Sequence, residues 1–237
     1  MLNWLSQDTI EYEADGTSIV YSLTPSAINS IKVVYIIDRT DWPHSSNIIH
    51  KNNFYNFPEI QKVIFKVTKN TYIESASFEM CSKLKEVDFK AVPSNVTICF
   101  EKDCFAGTKI KKLIMPKSII NFQKDALKSI NSLDDIVFSG GHIEESNINL
   151  LDINTPLKNV YLLGINKKEF QETLYLSLLN HMKFLFNNQS NPVPLNIRTD
   201  NSEIIKFLNR SSIKKYFKTI FATAYADKLK GIKIFED

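Results

Sequence analysis

The chain has 237 residues, is 43% hydrophobic and carries a formal charge of +3. That is enough apolar material for a packed core in one long domain or one and a half, and too little net charge to imply nucleic-acid binding by itself. No apolar run approaches the roughly eighteen residues of a membrane span, and three cysteines suit a reducing cytoplasm better than a disulfide-built domain.

The opening stretch MLNWLSQDTIEYEADG is acidic and shows no basic segment followed by an apolar one, so no signal peptide is expected. Residues alternate in character on both sides of Asp15-Gly16. That dipeptide predicts a hairpin, and residues 1–19 read as an N-terminal cap.

From Val20 onward one spacing recurs. In IESASFEMCSKLKEVDF the apolar residues are Ile73, Phe78, Cys81, Leu84, Val87 and Phe89. The same steps without a gap give Ile49, Phe54, Phe57, Ile60, Val63 and Phe65, and again Phe122, Leu127, Ile130, Leu133, Ile136 and Phe138. Copies from Val20, Phe100 and Ile143 fit less well. The Phe100 copy needs a deletion and the Ile143 copy an insertion. A period of about 25 residues lies in the range of solenoids. The closing step of two predicts a short strand, and the earlier apolar residues predict a helical or 3₁₀ turn on the opposite side. One copy cannot bury its own apolar face, so the copies stack. The predicted fold is α/β: a solenoid over residues 20–164 with six parallel strands near 32–36, 61–65, 85–89, 111–115, 134–138 and 158–162.

The wording of these copies, with Phe78, Cys81, Leu84, Phe105, Gly107 and Pro116, resembles the BspA-like leucine-rich repeats. The resemblance covers about residues 20–163. It implies a binding scaffold rather than a reaction, in a family whose members are frequently secreted or surface-attached adhesion proteins.

After Gly164 the repeat stops. Residues 165–237 read as a C-terminal α/β unit, either a long cap or a small second domain. Phe170, Leu174, Leu178, Met182 and Leu185 have helical spacing, and NPVPLNIRTD holds a short strand. Asp200 or Ser202 is the expected N-cap of EIIKFLN. SIKKYFKTIFATAYADKLKG reads as a further helix with Ile213, Phe217, Ile220, Phe221 and Ala224 on one face. Gly231 opens a last predicted strand. Between Ser202 and Phe235 eight basic residues stand against Glu203 and Asp227. Lys206, Arg210, Lys214, Lys215 and Lys218 are either a solvated helix face or a patch for phosphate backbones or an acidic protein.

The four histidines have no metal-ligand spacing with each other or with a cysteine, and no nucleophile or phosphate-loop motif is present. No catalytic residue, metal or cofactor is therefore assigned. The Ser139–His142 stretch SGGH reads as a turn. Cys81 reads as a small buried hydrophobe. Cys99 and Cys104 are read either as structural or as a partly exposed reactive pair.

On the predicted strands, the middle outward positions are Tyr35, Ile64, Asp88, Ile114, Val137 and Tyr161. A solvated sheet face would be polar there. The column is either a partner-binding strip, the plain β-propensity of Val, Ile and Tyr, or a surface covered by the C-terminal unit. The leading functional expectation is a cytoplasmic, non-enzymatic scaffold that binds another protein through this column, with any contact to nucleic acid secondary. The alternative is an inhibitor or adaptor of a nucleic-acid enzyme that uses the basic C-terminal unit. A bias toward Asn, Lys and Ile, common in AT-rich genomes, would suit a phage or mobile-element product opposing a host defence nuclease.

Overall fold

A computed structural model describes residues 2–15, 23–40, 46–144, 150–151 and 155–221. Gly16, the Val20 start of the first copy, and the segment containing Ala224 and Gly231 lie outside the described residues.

The chain winds as a three-sided coil. On the first side run β2 (Thr9–Glu13), β3 (Val33–Ile37), β5 (Lys62–Lys66) and β7 (Glu86–Asp88), followed by β9 (Lys112–Ile114), β11 (Asp135–Ser139) and β13 (Asn159–Leu163). All the pairings that join these strands are parallel, because each turn of a coil returns the chain in the same direction. The six predicted strands are thus present, displaced by a residue or so. Strand alternation sends Val63 and Phe65, or Ile136 and Phe138, into the core. Every apolar position of the three ungapped copies is buried.

The second side differs from the expected helical or 3₁₀ turn. It is a second parallel sheet, β4 (Asn47–Ile49), β6 (Thr71–Ile73), β8 (Thr97–Phe100), β10 (Ile119–Phe122) and β12 (His142–Ile143). The earlier apolar residues Phe78, Cys81 and Leu84 lie in the tight turns beyond it, which carry three-residue hydrogen bonds such as Cys81 N to Phe78 O. The template's first residue, Ile49 or Ile73, ends such a strand. These strands are only two to four residues long, too short to display a period of two.

The third side is a ladder of tight turns. The amides of Phe54, Phe78 and Met80 donate to the carbonyls of Ser77, Cys104 and Ala106 in the next coil at 2.8, 2.9 and 2.8 Å. Left-handed backbone recurs there at Asn52, Asn56, Ala76, Met80, Asp103, Gly107, Asp125 and Ser129. Gly107 answers a real need. It has φ +71°, and a Cβ at this position would stand 2.7 Å from Met80 Sδ. Aromatic side chains from the turns form a column inside the coil. Phe78 stacks on Phe54 at 4.9 Å and on Phe105 at 5.5 Å.

A hairpin caps the N-terminus, and the one expected at Asp15-Gly16 runs into residues outside the described ones. β1 (Leu2–Trp4) pairs antiparallel with β2, so the turn lies between Trp4 and Thr9. β2 is already a solenoid strand, parallel to β3, and Asp15 bridges in parallel to Ile48 on the second side.

At the other end the first side continues beyond the repeats. β14 (Leu195–Thr199) and β15 (Phe217–Phe221) extend the β9-β11-β13 sheet in parallel. One short helix, α1 (Pro25–Ile28), precedes β3; here helices replace the second sheet, with α2 (Lys167–Thr173) and α3 (Tyr175–Asn188) before β14 and α4 (Ser202–Leu208) before β15. Phe170, Leu174, Leu178 and Met182 are buried as their spacing predicts. Asn201, rather than Asp200 or Ser202, caps α4: its Oδ1 accepts from the amides of Glu203 and Ile204. Asp200 instead accepts from the Gly164 amide at 3.0 Å. The expected helix from Ser212 onward is a turn followed by β15. Tyr216-Phe-Lys-Thr-Ile-Phe is a strand-favouring run beside an open sheet edge, and edge pairing overrides the helical spacing.

Candidate partner-binding face

The registers place one outward residue from every strand of the first side in a row on each of its two sheets. On one sheet these are Glu11, Tyr35, Ile64 and Asp88, and on the other Ile114, Val137, Tyr161, Arg198 and Ile220. Tyr35, Ile64 and Asp88 are therefore aligned on one sheet, and Ile114, Val137 and Tyr161 on the other. Their exposure is uneven. Tyr35, Ile64, Asp88 and Ile114 are half-buried, but Val137 and Tyr161 are only 3% and 7% exposed. The expectation that the whole column is open to solvent is corrected for these two. Arg198 lies 5.6 Å from the centre of the Tyr161 ring and Lys112 Nζ lies 5.8 Å from it, so two long cationic side chains cover that end. At the other end Lys66 Nζ sits 4.2 Å above the Tyr35 ring.

The row is interrupted once. Elsewhere from β2 to β13 the entry to each next strand is fastened by two amides on one carbonyl. Gln61 and Lys62 donate to Lys32 O, Lys85 and Glu86 to Gln61 O, and Asp134 and Asp135 to Lys111 O. Between β7 and β9 this rung is missing among the described residues. The Lys109 amide still donates to Leu84 O at 2.8 Å, and then the sheet ends at β7 and restarts at β9. The connecting coil is longer than its neighbours: Glu86 precedes Lys112 by 26 residues, while Lys62 precedes its partner Glu86 by 24 and Lys112 precedes Asp135 by 23.

A cleft of about 820 Å³ opens at this split. Val87, Phe89, Val92, Met115 and Pro116 form its apolar floor, all nearly buried. Around the rim stand Lys62, Lys85, Lys90, Lys111, Lys112 and Lys117, with Glu86 and Asp88 among them. Lys62 is engaged by Glu86 at 2.7 Å, a hydrogen bond that raises its pKa. Lys85, Lys111 and Lys117 make no ion pair among the described residues and are exposed. Sequence reasoning missed this cluster. Its signal in the sequence was the pair Lys111-Lys112 beside the lengthened spacing from Ile73 to Phe100.

A family model for the BspA type leucine-rich repeat region, in six copies, matches residues 47–180. The chain belongs to this family. No curated protein sequence matches it. BspA-type leucine-rich repeats serve in general as protein–protein interaction modules and typically carry no catalysis, in keeping with an extended face rather than an enclosed pocket.

Among the described residues, the other candidates read from the sequence of this BspA-type chain are spread over several elements. The basic residues near the C-terminus do not share a helix. Lys206 is on α4 and pairs with Glu203 at 2.8 Å, and Arg210 lies over the Phe207 ring at 4.9 Å. Lys214 and Lys215 occupy the turn before β15, and Lys218 is on β15 itself. All three cysteines are buried. Burial pushes the Cys81 thiol up to about 12 and the Cys99 thiol up to about 11, and raises Cys104 as well. Cys99 and Cys104 are therefore not a partly exposed reactive pair. The Ser139–His142 stretch is the turn between β11 and β12, with Gly140 and Gly141 at positive φ. A Cβ on Gly141 would meet Ser118 O at 2.4 Å. No group of metal ligands occurs among the described residues, and no helix among them is long and apolar enough to cross a membrane.

Proposed function

We propose that the protein recognises another protein through the outward row of its first side, with Tyr35, Ile64, Asp88 and Ile114 as the accessible part and Val137 and Tyr161 as its packed end. The observation that carries this reading is the register. Apolar residues from separate coils are aligned on a face that would be polar if it were only solvated. Residues 165–221 act as a cap in this reading, since their strands prolong the sheet and their helices close the second side. Three free, buried thiols suit a reducing cytoplasm. The division of the C-terminal basic residues among α4, a turn and β15 favours the strand face over that patch as the main contact.

Site-specific cross-linking tests it. A photoreactive residue is placed at Ile64, and separately at exposed Lys124 beside the third side, and each protein is irradiated in an extract of the native host. A discrete protein adduct from position 64 and none from position 124 is expected. Equal labelling from both positions would refute the reading.

A further inference from the structure

We propose that the β7–β9 split is the seat of an extended acidic peptide segment of the partner, its carboxylates meeting Lys85, Lys111 and Lys117. This deepens the strand-face reading and rests on it.

Three observations point the same way. The first is charge. Six lysines rim the cleft against two carboxylates. One lysine, Lys62, is neutralised by Glu86, whereas Lys85, Lys111 and Lys117 have no acidic partner among the described residues. Three exposed ammonium groups beside one cleft repel each other, and an anionic ligand relieves that repulsion.

The second is the backbone. Everywhere else on this side, neighbouring strands satisfy each other's amides and carbonyls. Across the split, the main-chain groups of Glu86–Asp88 and Lys112–Ile114 do not pair among the described residues. The two strands still lie within 8 Å of each other, too close to admit a third strand between them, so an extended peptide rests across the outer mouth of the split.

The third is the floor. Phe89, Val92, Met115 and Pro116 offer an apolar base between the lysines. A segment that alternates acidic and apolar side chains meets both, because successive side chains of an extended strand point to opposite sides.

The same features argue against a nucleic-acid strand. Glu86 and Asp88 stand among the lysines, where they would oppose a continuous phosphate backbone. The cleft also presents no exposed aromatic ring for a base to stack on: Phe89 is its only aromatic residue and is 5% exposed.

The test pans a random twelve-residue peptide library on phage against the full chain, and measures synthetic copies of the enriched peptides by fluorescence anisotropy. Enriched peptides should be acidic with interspersed apolar residues. The triple variant Lys85→Glu, Lys111→Glu and Lys117→Glu should weaken them at least tenfold without moving the melting temperature. Should that variant be poorly folded, the Lys→Ala triple replaces it and a fivefold loss is required. Peptides with no acidic excess, or affinities indifferent to these lysines, overturn the proposal. So does tighter binding of a twelve-nucleotide oligothymidylate through the same lysines. Cross-linking at Ile64 separates the two levels. Adducts that persist in the lysine variants sink the acidic seat and leave the strand face standing. Peptide binding at the split without any adduct from Ile64 leaves the seat and removes the wider face.

Discussion

The rings of Phe65 and Phe89 stack 4.5 Å apart at 25°, one directly above the other in successive coils. Phe89 also meets Phe100 edge-on at 5.8 Å. Phe89→Ala removes a ring held between two aromatic neighbours and should cost about 3–5 kcal/mol in urea unfolding. Asp88→Asn, one residue away and outward, keeps the acceptor for the Lys90 amide and should change stability by no more than about 0.5 kcal/mol. Equal losses would mean that the faces of this strand are assigned the wrong way round.

Alkaline pH should destabilise the fold through its thiols. Buried Cys81 ionises only near 12, against an ordinary value of 9.0. Between those values the unfolded chain gives up a proton that the folded chain keeps, so stability is full below pH 9 and declines as pH rises toward 12. Cys99 and Cys104 add to the same slope. Urea midpoints measured from pH 8 to 10.5 should fall, and Cys81→Val should make the fall shallower. Native protein should also resist iodoacetamide at pH 8 while unfolded protein is alkylated.

Acid should act through Asp38. Burial works to raise its pKa, but hydrogen bonds from the Thr68 hydroxyl and amide, Asn47 Nδ2 and the Lys69 amide outweigh burial and hold it below the usual carboxylate value. Stability from this group is therefore present above pH 4 and lost as pH falls through the depressed value. Asp38→Ala strands these donors at the turn between two coils and should cost about 1–3 kcal/mol at pH 7. The cost should shrink at pH 3, and a pH-independent loss would argue against the ionised carboxylate.

Ile114→Lys should leave the melting temperature nearly unchanged. It should weaken binding of the partner identified by cross-linking at least tenfold, about 1.4 kcal/mol. Reversing Lys214, Lys215 and Lys218 to Glu together should matter chiefly at low salt. Normal binding by Ile114→Lys, with binding abolished at every salt by the triple reversal, would move the contact to the C-terminal residues.

The first side of the coil was legible because its strands bury two residues each at a spacing of two, set in a period that gaps barely disturb. Val63 with Phe65, and Ile136 with Phe138, carried that signal. The second side was not legible. Its strands contribute few alternating positions, and the Phe54 and Phe57 pair that follows has a helical step of three although the backbone there is a left-handed turn ladder held by the next coil. Neighbouring coils, rather than local preference, decide that conformation. At the C-terminus, Ile213, Phe217 and Ile220 matched a helix face, yet the open edge of β14 recruits Phe217–Phe221 as a strand. The row from Tyr35 to Tyr161 could be named from alternation. Its closure at Val137 and Tyr161 could not, because Arg198, which covers one side of Tyr161, comes from a strand beyond the repeats.

The missing rung between β7 and β9 also has a mechanical meaning. A stack of coils behaves as a linear series of nearest-neighbour couplings, and its cooperativity is set by the weakest of them. At this step the strand side contributes little, and adhesion rests on the pairing of β6 with β8, on the turn ladder, and on the rings of Phe78 and Phe105. The two halves therefore share a hinge line along the second sheet, and the strand side is where the stack opens most readily under thermal motion or pulling. Amide exchange at Val87 and Ile114, whose N–H groups face the split, should be faster than at Ile64 or Val137, marking the point where one folding unit hands over to the next.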